Sequence, residues 1–82
     1  MVEFDDINVD DIHVSKSTIK RIADTANVHR MTDDAAVRVA FQYEVSVMSE
    51  LRVAKELASH AGRQTVKEED LILAERMKEA GL

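Results

Sequence analysis

Cysteine, proline and tryptophan are absent from this sequence, and glycine occurs only at positions 62 and 81. Without cysteine there is no disulfide framework, no thiolate metal site and no cysteine nucleophile. Without proline, and with so little glycine, the chain has few turns and reads as all-α. The only aromatic residues are Phe4, Phe41 and Tyr43, so aliphatic side chains and alanine must fill the core. No apolar run approaches the ~18 residues of a membrane span. The acidic N-terminus is the wrong chemistry for a signal peptide, so the expectation is an intracellular, soluble protein with no membrane partner. There is also no nucleophile–base constellation, no glycine-rich phosphate loop and no cluster of metal ligands. His13 and His29 lack ligand partners at a useful spacing. The sequence therefore predicts no enzyme, no cofactor, no metal and no small-molecule substrate.

Charge is present in both signs but unevenly placed. Residues 1–14 carry Glu3, Asp5, Asp6, Asp10 and Asp11 and no lysine or arginine, which accounts for the whole formal charge of −5. The remaining body has 11 acids and 11 bases. A balanced body keeps nucleic-acid binding open, because the position of charge matters more than its sum. Two regions follow: an acidic N-terminal tail, 1–14, and a folded domain, 15–82. The tail reads as extended and solvated, with short apolar pairs Val2/Phe4, Ile7/Val9 and Ile12/Val14.

Three helices follow the tail. Ser15–Ala26 places Ile19, Ile22, Ala23 and Ala26 on one apolar face, with Lys16, Lys20 and Arg21 on the other side and Asn27 as a left-handed terminator. Thr32 is a good N-cap, Asp33 and Asp34 suit a helix N-terminus, and no Gly or Pro interrupts the run from Ala35 to Ala61 before Gly62 stops it. That helix is roughly 40 Å long at 1.5 Å per residue, wider than so small a domain. Val39, Ala40, Tyr43, Val47, Leu51, Ala54, Leu57, Ala58 and Ala61 cover one broad face of it. A last helix, Lys67 to about Ala80, has acids in its first turn, bases near its end and Leu71, Leu73, Ala74 and Met77 as an apolar stripe. The central helix cannot be covered by its own chain. It needs a partner, and small size without covalent staples favours an obligate oligomer.

From about Ser15 to Ala74 the chain resembles an archaeal-type histone. The segment His60-Ala-Gly-Arg-Gln-Thr-Val-Lys-Glu-Glu-Asp-Leu-Ile-Leu-Ala74 carries most of the likeness, with Arg63-x-Thr65 and Asp70 at family spacing. Arg30-Met-Thr-Asp-Asp-Ala35 and Ile19-x-Arg21-Ile22 add to it. The resemblance implies a histone fold whose long helices cross head to tail in an intertwined dimer. It implies double-stranded DNA as partner, and self-association as homodimer or tetramer, or pairing with a second histone-fold chain. It places the protein on the chromosome or nucleoid in the cytoplasm. By the same resemblance Arg30 enters the minor groove, a mode suited to sequence-tolerant binding. Arg21 meets phosphate from the first helix, and Thr65 offers its hydroxyl and backbone N–H from the second loop. Arg63 and Asp70 form an ion pair that holds this loop, while Leu57, His60 and Asp70 join one dimer to another. Lys16, Lys20 and Lys67 lie near these positions and add charge to the expected DNA surface, to which Arg63 and Gln64 also belong.

Three departures matter. Gln64 stands where the family commonly has a DNA-contacting lysine, and the C-terminus is not a basic run. The acidic tail is long, and by competing for the basic surface it should weaken DNA binding. Val37, Phe41, Val45 and Met48 form an apolar stripe where such histones carry charge, which predicts a second protein–protein surface or a face covered by the tail or the last helix. The leading expectation is an architectural DNA-binding protein that compacts, wraps or bridges DNA. The alternative is a histone-fold interaction subunit of a transcription or chromatin complex that touches DNA weakly or not at all.

Overall fold

A computed structural model describes residues 8–81. A single 3-10 turn, Val9–Asp11, precedes α1 (Lys16–Thr25), α2 (Asp33–His60) and α3 (Glu68–Glu79), and no strand occurs among the described residues. The expected order of short, long and short helix is observed. Each boundary has a local cause. At α1, Ser15 is the N-cap and its Oγ accepts the Thr18 N–H at 3.1 Å. At α2, the Thr32 hydroxyl accepts the Ala35 N–H at 3.2 Å. At α3, Asp70 reaches back to accept the Lys67 N–H at 2.8 Å, which is half of a capping box because lysine has no acceptor to return.

The C-termini close by one device used twice. Val28 N–H donates to Ala23 O and Asn27 N–H to Asp24 O, while Arg63 N–H donates to Ala58 O and Gly62 N–H to Ser59 O. Both are Schellman closures, and both need a left-handed residue at the turn. Asn27 (φ 64°) and Gly62 (φ 76°) supply it.

The chain divides within α2 into two compact units, residues 1–45 and 46–82. In the first, Ile19 of α1 packs with Ala36 and Ala40 of α2, and Ile12, Val14 and Met31 pack against that cluster. The Asn8–Val14 segment is thus docked on α2, and this corrects the solvated-tail reading for those residues. Glu44 fixes the segment, accepting the Val14 N–H and lying 3.3 Å from His13 Nδ1. The folded body therefore begins before Ser15. Residues 1–7, with Val2, Phe4 and Ile7, lie outside the described residues, as does the Val9 side chain.

In the second unit the buried apolar residues are Ala54 and Ala58 of α2 and Ala74 of α3. Among the described residues no large side chain is fully buried, and Ile22 (54%), Tyr43 (49%) and Leu51 (46%) are half exposed. Val39, Val53, Leu71, Ile72 and Leu73 are also exposed. The broad α2 face predicted from spacing is therefore split: its alanines pack within the chain, and Val39, Tyr43 and Leu51 stay open. In the first unit Ile19, Ile22, Val28, Met31, Val39 and Tyr43 line an open apolar hollow of about 440 Å³.

Candidate nucleic-acid interface

The basic residues singled out in the sequence fall into three groups by what already holds them. Arg21, on the exposed side of α1, and Arg30, in the α1–α2 loop, are exposed and have no hydrogen-bond or ion-pair partner among the described residues. Arg30 lines a polar recess with Lys20, Asp24 and His29, and the Asp24 carboxylate pairs with His29 Nδ1 at 3.3 Å. The Arg30 guanidinium is left open to solvent.

Lys16 and Lys20 form the second group. They lie one turn apart on α1 and both reach Asp33, the first residue of α2. Lys16 Nζ is 3.2 Å from Oδ2, and Lys20 Nζ donates to Oδ1. Hydrogen bonds from Lys20 and then Lys16 hold the Asp33 carboxyl below its ordinary value. Sequence reasoning read Asp33 only as a helix-start residue. Its bridging role links residues 13 and 17 positions away, and no local pattern announces it.

Arg63 is the third. Its terminal nitrogens contact Asp70 Oδ2 at 2.9 Å and Oδ1 at 3.0 Å, Glu69 Oε1 at 3.0 Å and the Thr65 carbonyl at 2.9 Å. This corrects the expectation of Arg63 as a DNA contact, because its terminal nitrogens are already committed within the chain. It positions the α2–α3 loop instead. The bidentate arginine–carboxylate geometry fixes orientation as well as distance. Asp70 is only 4% exposed. The Arg63 hydrogen bonds, with the Lys67 N–H, outweigh burial and hold its carboxyl at about 2, against an ordinary 3.8. Gln64, Thr65 and Lys67 are exposed around this clamp, so the loop is held from its base with its outer side free.

At the expected dimer–dimer contact, Leu57 is half-buried, and His60 is exposed without a partner among the described residues. Asp70 already accepts three hydrogen bonds, leaving room for one more donor on a carboxylate with about four acceptor sites. The Val37–Met48 stripe is not the open surface expected. Phe41 is only 7% exposed, Val37 and Val45 are half-buried, and Met48 alone of the four is well exposed. Ile12 and Val14 lie with Val37 and Ala40 around one recess, so the docked segment occupies part of that side. Among the described residues no group of three His, Asp or Glu side chains is arranged to hold a metal. No helix is long and apolar enough to cross a membrane.

A short–long–short helical chain with a second loop clamped by an arginine–aspartate pair has the histone-fold pattern. Residues 12–74 match the family described as histone-like transcription factor (CBF/NF-Y) and archaeal histone, and the chain belongs to that family. It is also 41% identical over 56 residues to the archaeal histone HAN1 of Thermococcus zilligii, covering 68% of this chain and 84% of the relative. No solved structure matches. The family match starts at Ile12, three residues before the predicted Ser15 and within the segment docked on α2. Histone-fold proteins are structural and non-enzymatic, so this chain has a DNA-packaging or interaction role and is not an enzyme.

Proposed function

We propose that this chain is a sequence-tolerant architectural protein of double-stranded DNA that acts as a dimer associated with the chromosome. The observation that carries the reading is the division of labour among the arginines. Arg21 and Arg30 are exposed and unpaired among the described residues, while Arg63 is spent on holding the loop that presents Thr65. Arg30 inserts into the minor groove, and Arg21, Thr65 and Lys67 meet phosphates. The dimer forms by crossing of two long helices, covering the open Val39, Tyr43 and Leu51 side of α2. Dimers join through Leu57 and His60, with Asp70 accepting a fourth hydrogen bond from the other dimer's His60. A dimer neutralising about six phosphates gives a slope of log K against log salt near −5.

A gel-shift titration on random duplex DNA at two salt concentrations, with Arg30→Ala beside the unmodified protein, tests this. Salt-sensitive binding that weakens in R30A supports it. Binding that is absent, or indifferent to Arg30, favours a histone-fold interaction subunit. That second reading draws on the neutral body, on Gln64, and on the pairing of Lys16 and Lys20 with Asp33.

A further inference from the structure

Lys16 and Lys20 stand at i and i+4, and each gives its ammonium to a different oxygen of one carboxylate. Asp34, next in the chain, is exposed and has no such pairing among the described residues, so the contact depends on geometry and not on general acidity. The three side chains are between 41% and 59% exposed, so solvent and other anions reach the pairs. Exposed pairs of this kind are weak enough to be exchanged. They are also tethered, which gives the carboxylate a high effective concentration that a free anion must exceed. Asp33 has a second reason to remain, because the first turn of a helix favours negative charge. Two lysines that would present +2 therefore present +1, on the same helix as the free Arg21.

We propose that Asp33 is an internal competitor for DNA, holding Lys16 and Lys20 back from phosphate and so setting the affinity of the α1 surface. The inference rests on the DNA-binding reading above. Phosphate contact by either lysine requires its transfer from the Asp33 carboxylate, so counterion release by the unmodified protein is smaller than its number of basic residues implies.

The test measures binding to random duplex DNA across salt for the unmodified protein, Asp33→Asn, the pair Lys16→Gln with Lys20→Gln, the triple variant and Arg30→Ala. At low salt D33N should bind about five-fold more tightly as a dimer, a gain that shrinks as salt screens it. Its salt slope should steepen by about two, one more phosphate per chain. Removing both lysines should cost little in the unmodified background and cancel the gain in D33N, the non-additivity expected of coupled groups. D33N with unchanged affinity and slope, while R30A still weakens binding, overturns the inference and leaves the DNA-binding reading intact. A gain that survives in the triple variant also overturns it, since charge alone would then account for it. No duplex binding by either the unmodified protein or D33N overturns both. Asp33→Ser serves as a second variant should D33N lose helicity by circular dichroism, because serine also suits a helix start.

Discussion

Asp70 is the residue whose chemistry is most strongly set by its surroundings. Its carboxyl titrates at about 2 in the folded chain and at about 3.8 when the chain is unfolded. A carboxyl with a depressed folded value contributes stability that is fully present above its unfolded value and lost as pH falls toward the folded one. The α2–α3 loop should therefore lose stability between about pH 4 and pH 2. Thermal melts of the unmodified protein and Asp70→Asn across that range check this: the two curves should converge as pH falls, with D70N the flatter. At neutral pH D70N should melt several degrees lower, because Asn cannot return the charge of Arg63. Parallel curves would assign the acid sensitivity to Asp33 or Glu44 instead. The Arg63–Asp70 pair was legible in the sequence because its seven-residue spacing belongs to a recognisable motif. The Asp33 and Glu44 contacts were not, because each joins residues 13 to 31 positions apart and depends on how α1 and the N-terminal segment lie on α2.

At the scale of elements, helix ends were legible because capping is local chemistry, and Ser15, Thr32, Asn27 and Gly62 each act where spacing placed them. Gly62 has open space where a Cβ would stand, so Gly62→Ala meets no clash and costs only its left-handed backbone conformation. The loss should be about 1 kcal/mol, read by denaturant titration. The docked N-terminal segment was not legible. Its short apolar pairs suggested an extended tail, and only the fold brings Ile12 and Val14 onto Ala36 and Ala40. Glu44 holds the segment. Burial opposes ionisation there, but hydrogen bonds from the Val14 N–H and from His13 outweigh it and keep the carboxyl below its ordinary 4.5. That sign makes the anchor present at neutral pH and lost as pH falls below the ordinary carboxylate range. Glu44→Ala should therefore speed hydrogen exchange at the Val14 amide about ten-fold or more, with little change in the α3 amides. Equal protection in both proteins would mean that apolar packing alone holds the segment. The same contacts govern how the acidic N-terminus is tested. Deleting residues 1–14 would strip Ile12 and Val14 from the core, whereas deleting 1–7 removes Glu3, Asp5 and Asp6 and spares it.

The whole molecule is limited by how little one chain can bury. Alanines make up most of its buried apolar set, and the large side chains Ile22, Tyr43 and Leu51 remain half exposed. A helix of 28 residues, roughly 40 Å long, adds more surface than two short helices can cover. Packing onto a second chain removes that surface from water at about 25 cal/mol per Å², so folding and dimerisation should be one event. The melting midpoint should then rise with protein concentration. For a dimer of this length each tenfold increase should add about 4 °C, since RT ln 10 is divided by an unfolding entropy that scales with chain length. Leu51→Glu places a charge on the open side of α2 and should lower both the midpoint and the mass in sedimentation equilibrium. Met48→Glu is the cleaner probe of the other side. Phe41→Glu would bury a charge at a residue only 7% exposed and unfold the chain before reporting on any contact. A dimer that persists in M48E but falls apart in L51E puts the dimer interface on the Leu51 side of α2. A midpoint independent of concentration over two decades would instead mean that each chain is stable alone despite its thin alanine core.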